Sequence, residues 1–553
     1  MDETENDGVL LHWFRFDLRF HDMPALKSGL KKCFSLYPVY IFDEEDIISQ
    51  KFGYNRLRFI LDSLKDINHK LQKHNGRNSK AFGVCKRYGV RGYDSIHQRR
   101  LYVFKGKPID VLNDLFNKWK ITHLSFEHDI QPSWVTFKDK IHKICEHNNV
   151  QIIEGVSRTL WKTEDIVETN GGSPPVTYDL FCQVVESLGP PQRPDSEISF
   201  QDVTVAVKDM PHSKIPACPE ELGTIMECPE QKKKVWQGGE TRALEHLAER
   251  MKIEENAHAE GYFMPNQLSP DLLGPPMSMS AALSNGCLSV RKFYWSLRDL
   301  DKTVEPDEFV RDGLVGQLIW REYFYTMCMN NPNFHKMLGN PICLNIDWIQ
   351  DDEMLEAWTK GRTGFPLIDA AMRQLLQEGW IHHVARNSVA CFLTRGDLWI
   401  SWEEGLKVFL KYLVDADLPV CAGNWMWVSS SAFEVVLQSS LCISPTSYLR
   451  RFEPSGQYIK KYVKELSNMP GEYLFEPWLA PLEVQKSAGC ILGKDYPLPI
   501  VEHQAASEKN SEKMDSVKAM FLPTSIPVHY APSNSSEACV FLWLPENCLD
   551  SLS

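Results

Sequence analysis

Short apolar runs recur along the first 155 residues of the chain, and amphipathic stretches separate them. Each run is too short for a helix and is typical of a buried strand. The runs are Val9–Phe14, Leu36–Phe42, Leu101–Phe104, Ile121–Phe126 and Val150–Ile153. Between them, Asn55–Leu71 and Pro132–His147 place apolar residues at helical spacing. Strands that alternate with helices predict a mainly parallel sheet in a doubly wound α/β domain.

From about residue 240 onwards, the apolar positions follow a helical period instead. One apolar stripe runs through Leu406, Phe409, Leu410 and Leu413, at positions i, i+3, i+4 and i+7. Segments 316–330, 365–378 and 381–395 behave in the same way. The pattern therefore predicts an all-α domain after the α/β domain.

The stretch between these two parts, residues 185–240, is rich in proline and mixed in charge, which is typical of a crossover linker. Its lysine run, Lys232-Lys233-Lys234, is interpreted as a solvated face. We therefore predict an α/β domain at 1–160, a linker at 161–240, a helical domain at 241–500 and a C-terminal tail at 501–553. No G-x-G-x-x-G follows the first strand, so a structural role and an antenna role both stay open for the α/β domain.

The C-terminal tail is polar at Ser507–Lys513, and proline-rich afterwards. This composition predicts a flexible segment, because it cannot bury a core. The tail nevertheless ends in an apolar cluster that contains Phe541, Leu542 and Trp543. Exposed apolar clusters usually bind a pocket or a partner, although a degradation or aggregation signal is the alternative.

The composition is that of a globular protein, with 43% hydrophobic and 24% charged residues among 553. A formal net charge of −13 lowers the expectation of non-specific DNA binding, which requires a basic surface. Fifteen irregularly spaced cysteines favour free thiols in a reducing compartment. The start of the chain is acidic, and no apolar run reaches the ~18 residues of a membrane span. We expect a cytosolic or nuclear protein.

Unusual residues concentrate between Arg386 and Trp427. Asp415 and Asp417 follow a helix end that disfavours carboxylates, and Arg386 is the natural partner. Gly423 would allow a flat ligand to approach the backbone, and Trp399 and Trp402 are expected one turn apart on a helix. Each feature also has a structural explanation, since buried aromatic residues, ion pairs and the histidine pair 382–383 are common in cores.

Five separated segments resemble the photolyase/cryptochrome family, in the family's order. They are His12–Arg19, Gly316–Phe324, Arg362–Ala370, Trp380–Asn387 and Gly423–Trp427. The resemblance extends over roughly residues 8 to 490, and the apolar end of the tail is similar to the insect-type (type I) animal cryptochromes. It implies a photolyase-like fold, α/β followed by all-α, with non-covalent FAD in the helical domain. A second, antenna chromophore is neither implied nor excluded.

The resemblance also implies which residues contact FAD. They are Arg250, Ser278, Ser280, Gln317, His383, Arg386, Asp415, Ala416, Asp417 and Cys421. In this interpretation Ser278 binds the phosphates, and Arg250 supplies charge to the phosphates or to the face above them. Arg386 stabilises negative charge on the flavin. Cys421 matches the position that faces flavin N5. A thiol of ordinary pKa is a weak proton donor, so reduced flavin is expected to stay anionic.

Four tryptophans match the family's electron relay: Trp425 nearest the flavin, then Trp402, Trp348 outermost and Trp399 as a fourth member. The implied function is blue-light sensing, not catalysis. New charge on the flavin would act on Arg386 and on a protonated His383, and the tail latch at Phe541–Trp543 would undock. The implied partners are a Timeless-like clock protein and a ubiquitin ligase component, in cytoplasm and nucleus, without stable DNA or membrane binding.

Two alternatives stay open. A DNA photolyase would repair (6-4) lesions with a second histidine, but that position is Asn387, and an amide cannot transfer the proton. A light-independent transcriptional repressor is disfavoured by Cys421 and the short tail. Segment 78–100 also looks inserted, with six Lys or Arg against one Asp. We interpret it as a splice form or gene-model error rather than a loop, since long unstructured loops inside domains are uncommon.

Overall fold

The apolar runs of the first domain form a fully parallel sheet. Its strands are β1 (Gly8–Phe14), β2 (Cys33–Asp43), β3 (Tyr102–Gly106), β4 (His123–Glu127), β5 (Gln151–Gly155) and β6 (Thr204–Val205). Their order is β3-β2-β1-β4-β5, and the short β6 pairs with β2. The chain moves outward from β1 in both directions, as in a doubly wound sheet. The predicted α/β class is confirmed, although β6 lies in the segment predicted to be a linker.

The coordinates come from a computed structural model. It describes residues 8–49, 51–73, 100–198, 204–205, 213–259, 271–273, 277–300, 309–310, 313–433 and 442–521. The predicted insertion, except for residue 100, and the predicted latch Phe541–Trp543 lie outside these residues.

Helices cover both faces of the sheet because each has one apolar face. The first seven are α1 (Pro24–Lys32), α2 (Glu44–Ile48), α3 (Tyr54–Lys73), α4 (Pro108–Trp119), α5 (Pro132–His147), α6 (Thr163–Thr169) and α7 (Tyr178–Leu188). In α4, Leu112, Leu115 and Phe116 are buried against Leu11 and Leu124 of the sheet. Burying each such side chain contributes about 1.5–3 kcal/mol. The last two helices fall within the predicted linker, which is therefore partly helical.

The second part of the chain is helical, as predicted. Its helices are α8 (Glu240–Ala259), α9 (Ser280–Ser284), α10 (Val290–Arg298), α11 (Gly313–Cys328), α12 (Asp352–Thr359), α13 (Pro366–Glu378), α14 (His383–Cys391), α15 (Trp402–Tyr412), α16 (Leu418–Val428), α17 (Gln457–Tyr462), α18 (Leu482–Ala488) and α19 (His503–Phe521). A π-helical segment, Phe392–Gly396, extends α14. In the part of the chain that the structure describes, no helix has the length and apolarity needed to span a membrane.

Helix α19 corrects the prediction of a flexible segment from Ser507. The helix packs on the end of the π-helical segment. The Asn510 amide donates to the carbonyl oxygens of Gly396 and Asp397, both at 3.1 Å, and Met514 is buried. The prediction was wrong because a few residues on one face of an otherwise polar helix contact residues that are distant in the sequence.

Candidate functional site

A cavity of about 530 Å³ lies in the middle of the helical domain. Sites that bind cofactors typically have this size. Nine of the ten residues predicted to contact a cofactor line it: Arg250, Ser278, Ser280, Gln317, His383, Arg386, Asp415, Asp417 and Cys421. They come from five helices and two loops, so the fold assembles residues that are up to 171 positions apart in the sequence.

Ala416, the tenth residue, does not line the cavity. The turn between α15 and α16 directs its carbonyl oxygen to Arg56 of α3, whose Nη2 donates to it at 3.2 Å. Arg56 also binds the Leu410 carbonyl oxygen at 3.0 Å. The turn is therefore held from the α/β side, and its two aspartates on either side of Ala416 face the cavity.

The Asp415 carboxylate joins two walls of the cavity. Its Oδ2 lies 2.8 Å from Arg386 Nη2 and accepts a hydrogen bond from Ser280 Oγ at 2.6 Å. The Arg386 Nε donates to the Ile381 carbonyl oxygen at 2.9 Å, which fixes the guanidinium plane. The predicted pair of Arg386 and Asp415 is confirmed. The second oxygen, Asp415 Oδ1, is buried without a partner among the described residues.

Asp417 takes part in a network that sequence analysis missed. Its Oδ2 accepts from the Tyr325 hydroxyl at 2.5 Å and lies 3.6 Å from Arg158 Nη2. The Arg158 Nε donates to the same hydroxyl at 2.8 Å, and burial raises the Tyr325 pKa. Arg158 follows β5 at the carboxyl edge of the sheet, where α/β proteins place functional side chains, and this position was the available signal. Asp417 Oδ1, like Asp415 Oδ1, is buried without a partner in the described structure.

Ser278, which is predicted to bind the phosphates, contacts Ser280. Ser278 Oγ lies 2.9 Å from Ser280 Oγ and accepts from the Ser280 amide at 3.2 Å. Arg250 pairs instead with Glu254 on its own helix, with Nε 2.7 Å from Oε1. The guanidinium has further N–H donors, so a phosphate contact by Arg250 stays a prediction.

The two histidines of the cavity, His382 and His383, are neutral. Burial, together with Arg386, lowers the pKa of His382 to about 4. Burial, together with His382 and Arg386, lowers the pKa of His383 to about 3. A cation on either ring would be desolvated and repelled by a neighbouring guanidinium, so both rings are neutral in the resting protein. A protonated His383 after new charge forms on the flavin stays a prediction.

Cys421 lies on the first turn of α16, in the cavity wall. Burial raises the pKa of its thiol to about 12, and the adjacent carboxylate of Asp415 acts in the same direction. The thiol therefore stays protonated and uncharged at neutral pH, as predicted, although its pKa is higher than the ordinary value that the prediction assumed.

Gly423 serves packing rather than ligand approach. A Cβ at this position would lie 2.2 Å from the ring of Phe324, so the glycine lets α16 pack closely on α11. Gly423 does not line the cavity, which corrects the expectation that it faces a flat ligand. Gly405 has a similar role on α15, where a Cβ would lie 2.2 Å from the indole of Trp425.

Among the described residues, one of the four predicted tryptophans lines the cavity, and two of the others form an outer pair away from it. Trp425 lines the cavity, and Trp402 is fully buried at the start of α15. Trp348 and Trp399 form a contacting pair, with ring centroids 4.8 Å apart. Trp399 has a left-handed backbone (φ 55°) in the turn before α15. The prediction that Trp399 and Trp402 share a helix is therefore wrong.

A fifth tryptophan, Trp358, was missed by sequence analysis. Its ring centroid lies 6.2 Å from that of Trp425, and its Nε1 donates to the Val389 carbonyl oxygen at 3.0 Å. Nothing in its local sequence distinguishes it from a core tryptophan.

Two family models match the chain. The model of the FAD binding domain of DNA photolyase matches residues 314–516, and the model of DNA photolyase matches residues 10–78 and 95–196. The interruption of the second match lies within the segment predicted to be inserted.

Relatives match over nearly the whole chain. Cryptochrome-1 of Aedes aegypti is 46% identical over 556 residues, which cover 97% of this chain and 98% of that protein. Cryptochrome-1 of Drosophila melanogaster is 44% identical over 562 residues, covering 98% and 99%. A class III photolyase from Agrobacterium tumefaciens has a TM-score of 0.74 at 25% identity, covering 94% of this chain and 99% of that chain. The cryptochrome of Synechocystis sp. PCC6803 has a TM-score of 0.73 at 22% identity, covering 93% and 100%.

Proposed function

The chain belongs to the photolyase and cryptochrome family and is a cryptochrome photoreceptor that binds FAD. We propose that it signals through oxidation of its tryptophans. The cavity fits the cofactor, since Asp415 Oδ1 and Asp417 Oδ1 are buried acceptors that lack a donor among the described residues. Such atoms require a partner, because an unpaired buried carboxylate oxygen is costly. FAD supplies hydrogen-bond donors when bound, absorbs blue light and, once excited, accepts one electron.

The residues around the cavity favour electron transfer without proton transfer. Arg386 holds positive charge where negative charge would develop, and Asp415 fixes its orientation. Cys421 stays a neutral thiol, and His382 and His383 stay unprotonated in the resting protein. The thiol of Cys421 and the two neutral imidazoles therefore offer no acidic proton at neutral pH.

The observation on which the proposal rests is the position of Trp425, which lies in the cavity wall while Trp348 and Trp399 form a pair elsewhere. When Trp425 loses an electron to excited FAD, it is left with an electron vacancy, or hole. We propose that this hole passes from Trp425 through Trp402 to the outer pair. Blue light should bleach the flavin absorption of the wild-type protein, and Trp425→Phe should slow the bleaching at least about tenfold. Trp478→Phe, which lies outside the cavity, is the matched control. Equal bleaching in Trp425→Phe and wild type would reject the relay.

We further propose sensing rather than repair. Asn387 lies in the cavity wall at the position where repair of (6-4) lesions requires a histidine, and its amide is neither an acid nor a base at neutral pH. Lesion-containing DNA illuminated with the FAD-loaded protein should therefore stay unrepaired. Restoration of the bases would instead support the alternative of a DNA photolyase.

The output that we propose is release of the C-terminal tail and binding of a Timeless-like clock protein and a ubiquitin ligase component, in cytoplasm and nucleus. Deletion of residues 523–553 should give partner binding in darkness equal to that in light. Pull-down of the partner from dark and illuminated samples tests this expectation. Partner binding in darkness that is unchanged by the deletion would exclude the tail as a latch.

A further inference from the structure

Helix α19 lies directly on the outer tryptophan pair. Met514 is buried against Ile346 and Trp399, and Val517, one turn further on, packs on the same cluster. The Lys513 ammonium lies 4.5 Å from the centroid of the Trp399 ring. The helix that leads into the tail therefore has a cation above one tryptophan of the proposed relay.

The charge of Lys513 is not neutralised by a carboxylate in the described structure. The nearby acids Asp397 and Asp515 pair with His503 and Lys518 instead. Among the residues that the structure describes, Lys513 makes a 3.4 Å hydrogen bond to Asn510 Oδ1. Burial and the neighbouring Lys509 lower the pKa of Lys513, as expected for an ammonium without a compensating acid.

The environment of Trp399 keeps positive charge on the ring once an electron has left. Its Nε1 donates to the Asp347 carbonyl oxygen at 2.9 Å. A carbonyl oxygen stabilises an indole cation but is too weak a base to remove its proton. An electron withdrawn from Trp399 therefore leaves a radical cation whose ring centroid lies 4.5 Å from the ammonium, not a neutral radical.

We propose that Lys513 couples the docking of α19 to the oxidation state of the pair formed by Trp348 and Trp399. While the indoles are neutral, the ammonium above Trp399 attracts the ring and helps to hold the helix. When one electron has passed from the pair, through the inner tryptophans, to photoexcited FAD, the same contact becomes a repulsion between two cations. Return of the electron restores the attraction. The inference rests on the relay proposed above and adds the contact that transmits its state.

The change from attraction to repulsion between Lys513 and Trp399 is large enough to affect docking of the helix. The attraction of the ammonium to a neutral ring changes the equilibrium constant for docking of α19 by less than about tenfold. Two unit charges at the observed separation of 4.5 Å, in partly screened surroundings, change it by on the order of a hundredfold. The contacts of His503, Asn510 and Met514 also hold the helix, so we expect a shift of this size to raise the fraction of molecules with an open helix rather than to open all of them.

The test is hydrogen exchange of the backbone amides of residues 503–521 in the FAD-loaded full chain, in darkness and under blue light. Wild type should exchange at least about tenfold faster in light. Lys513→Gln should lose most of this ratio, while its exchange in darkness rises by no more than about threefold. Lys513→Arg keeps the cation and should behave as wild type. Lys509→Gln removes an exposed lysine of the same helix and is the matched control.

Flavin absorption is recorded on the same samples to separate the two proposals. Bleaching in all variants, with an undiminished light-to-dark ratio in Lys513→Gln, would overturn the role of Lys513 and leave the relay intact. Bleaching of the flavin in wild type without faster amide exchange in α19 would also overturn the role of Lys513 and leave the relay intact. Absence of bleaching in wild type would overturn the relay and, with it, this inference.

Discussion

The ring centroids of Trp348 and Trp399 lie 4.8 Å apart, with an angle of 50° between the ring planes. At this distance the two indoles can share a hole, so Trp399 is not needed to terminate the relay. We predict that Trp399→Phe bleaches the flavin within about threefold of the wild-type rate, whereas Trp402→Phe is at least about tenfold slower. The initial rate of bleaching under fixed illumination measures both. Equal losses in the two variants would mean that Trp399, not the pair, accepts the hole.

The protonation of Cys421 predicts how the illuminated protein responds to pH. Burial raises its pKa to about 12, so the thiol neither gains nor loses a proton between about pH 6 and pH 9. The absorption spectrum after blue light should therefore stay that of an anionic reduced flavin across this range. Cys421→Asp places a carboxyl group there and should give the protonated form at the acid end. Cys421→Ala is the control and should match wild type.

The buried histidines predict a loss of stability in acid. Their pKa values fall from 6.5 in the unfolded chain to about 4 for His382 and about 3 for His383. Below pH 6.5 the unfolded state binds these protons and the folded state does not, so protons favour unfolding. Stability is fully present above this pH and is lost as pH falls towards about 4.

The variant His382→Gln isolates this contribution. Between about pH 7.5 and pH 5, its free energy of unfolding should fall by about 1–2 kcal/mol less than that of wild type. Urea titration at both pH values measures the difference, and the exposed His69→Gln is the control. A pH profile parallel to wild type would show that His382 is protonated in the folded protein.

The Asp415 carboxylate predicts a loss of cofactor affinity. Asp415→Asn removes the charge that orients Arg386 and leaves that guanidinium without an acid, a costly change in a partly buried site. The Kd for FAD should rise at least about tenfold, measured by titration of apoprotein. Asp352→Asn, on an exposed helix start, should bind FAD as wild type does. An unchanged Kd in Asp415→Asn would show that the pair serves folding only.

Close packing of α15 on Trp425 predicts the effect of a methyl group. In Gly405→Ala the new Cβ would lie 2.2 Å from the indole, so the ring must move. We expect about 1–3 kcal/mol loss of stability from overpacking, together with slower bleaching of the flavin. A Cβ at Gly471 meets no atom within 4 Å, so Gly471→Ala is the matched control for thermal unfolding.

The sequence was sufficient for the fold because buried strands and amphipathic helices are local patterns. Pro132–His147 forms a helix with the predicted bounds, and five strands lie where the apolar runs are. The failures concern residues whose role depends on distant partners. Gly423 faces Phe324 instead of the cavity, and α19 is ordered by contacts with residues more than 100 positions away. No window of sequence contains both partners of such contacts.

The same distinction holds for the cavity. Motif matching brought nine residues to one cavity, but the network around Asp417 was not predicted. Arg158 belongs to the other domain, and Tyr325 lies 92 positions away from Asp417 in the sequence. Trp399 was placed on a helix because its spacing from Trp402 fits one turn. Its left-handed backbone is set by the tertiary fold and has no signature in spacing.

The contact between Arg158 and Asp417 has a consequence for how this protein can be divided and recombined. The same loop of the α/β domain also donates the Leu160 amide to Glu322 at 2.7 Å. A helical fragment expressed alone would expose Asp417 and Glu322, which are now buried. A chimera with the sheet domain of a relative should fold and bind FAD only if the residues after β5 come from the same protein as the helices. The cofactor pocket is thus a shared property of both halves of the polypeptide, and neither half is a portable light-sensing module.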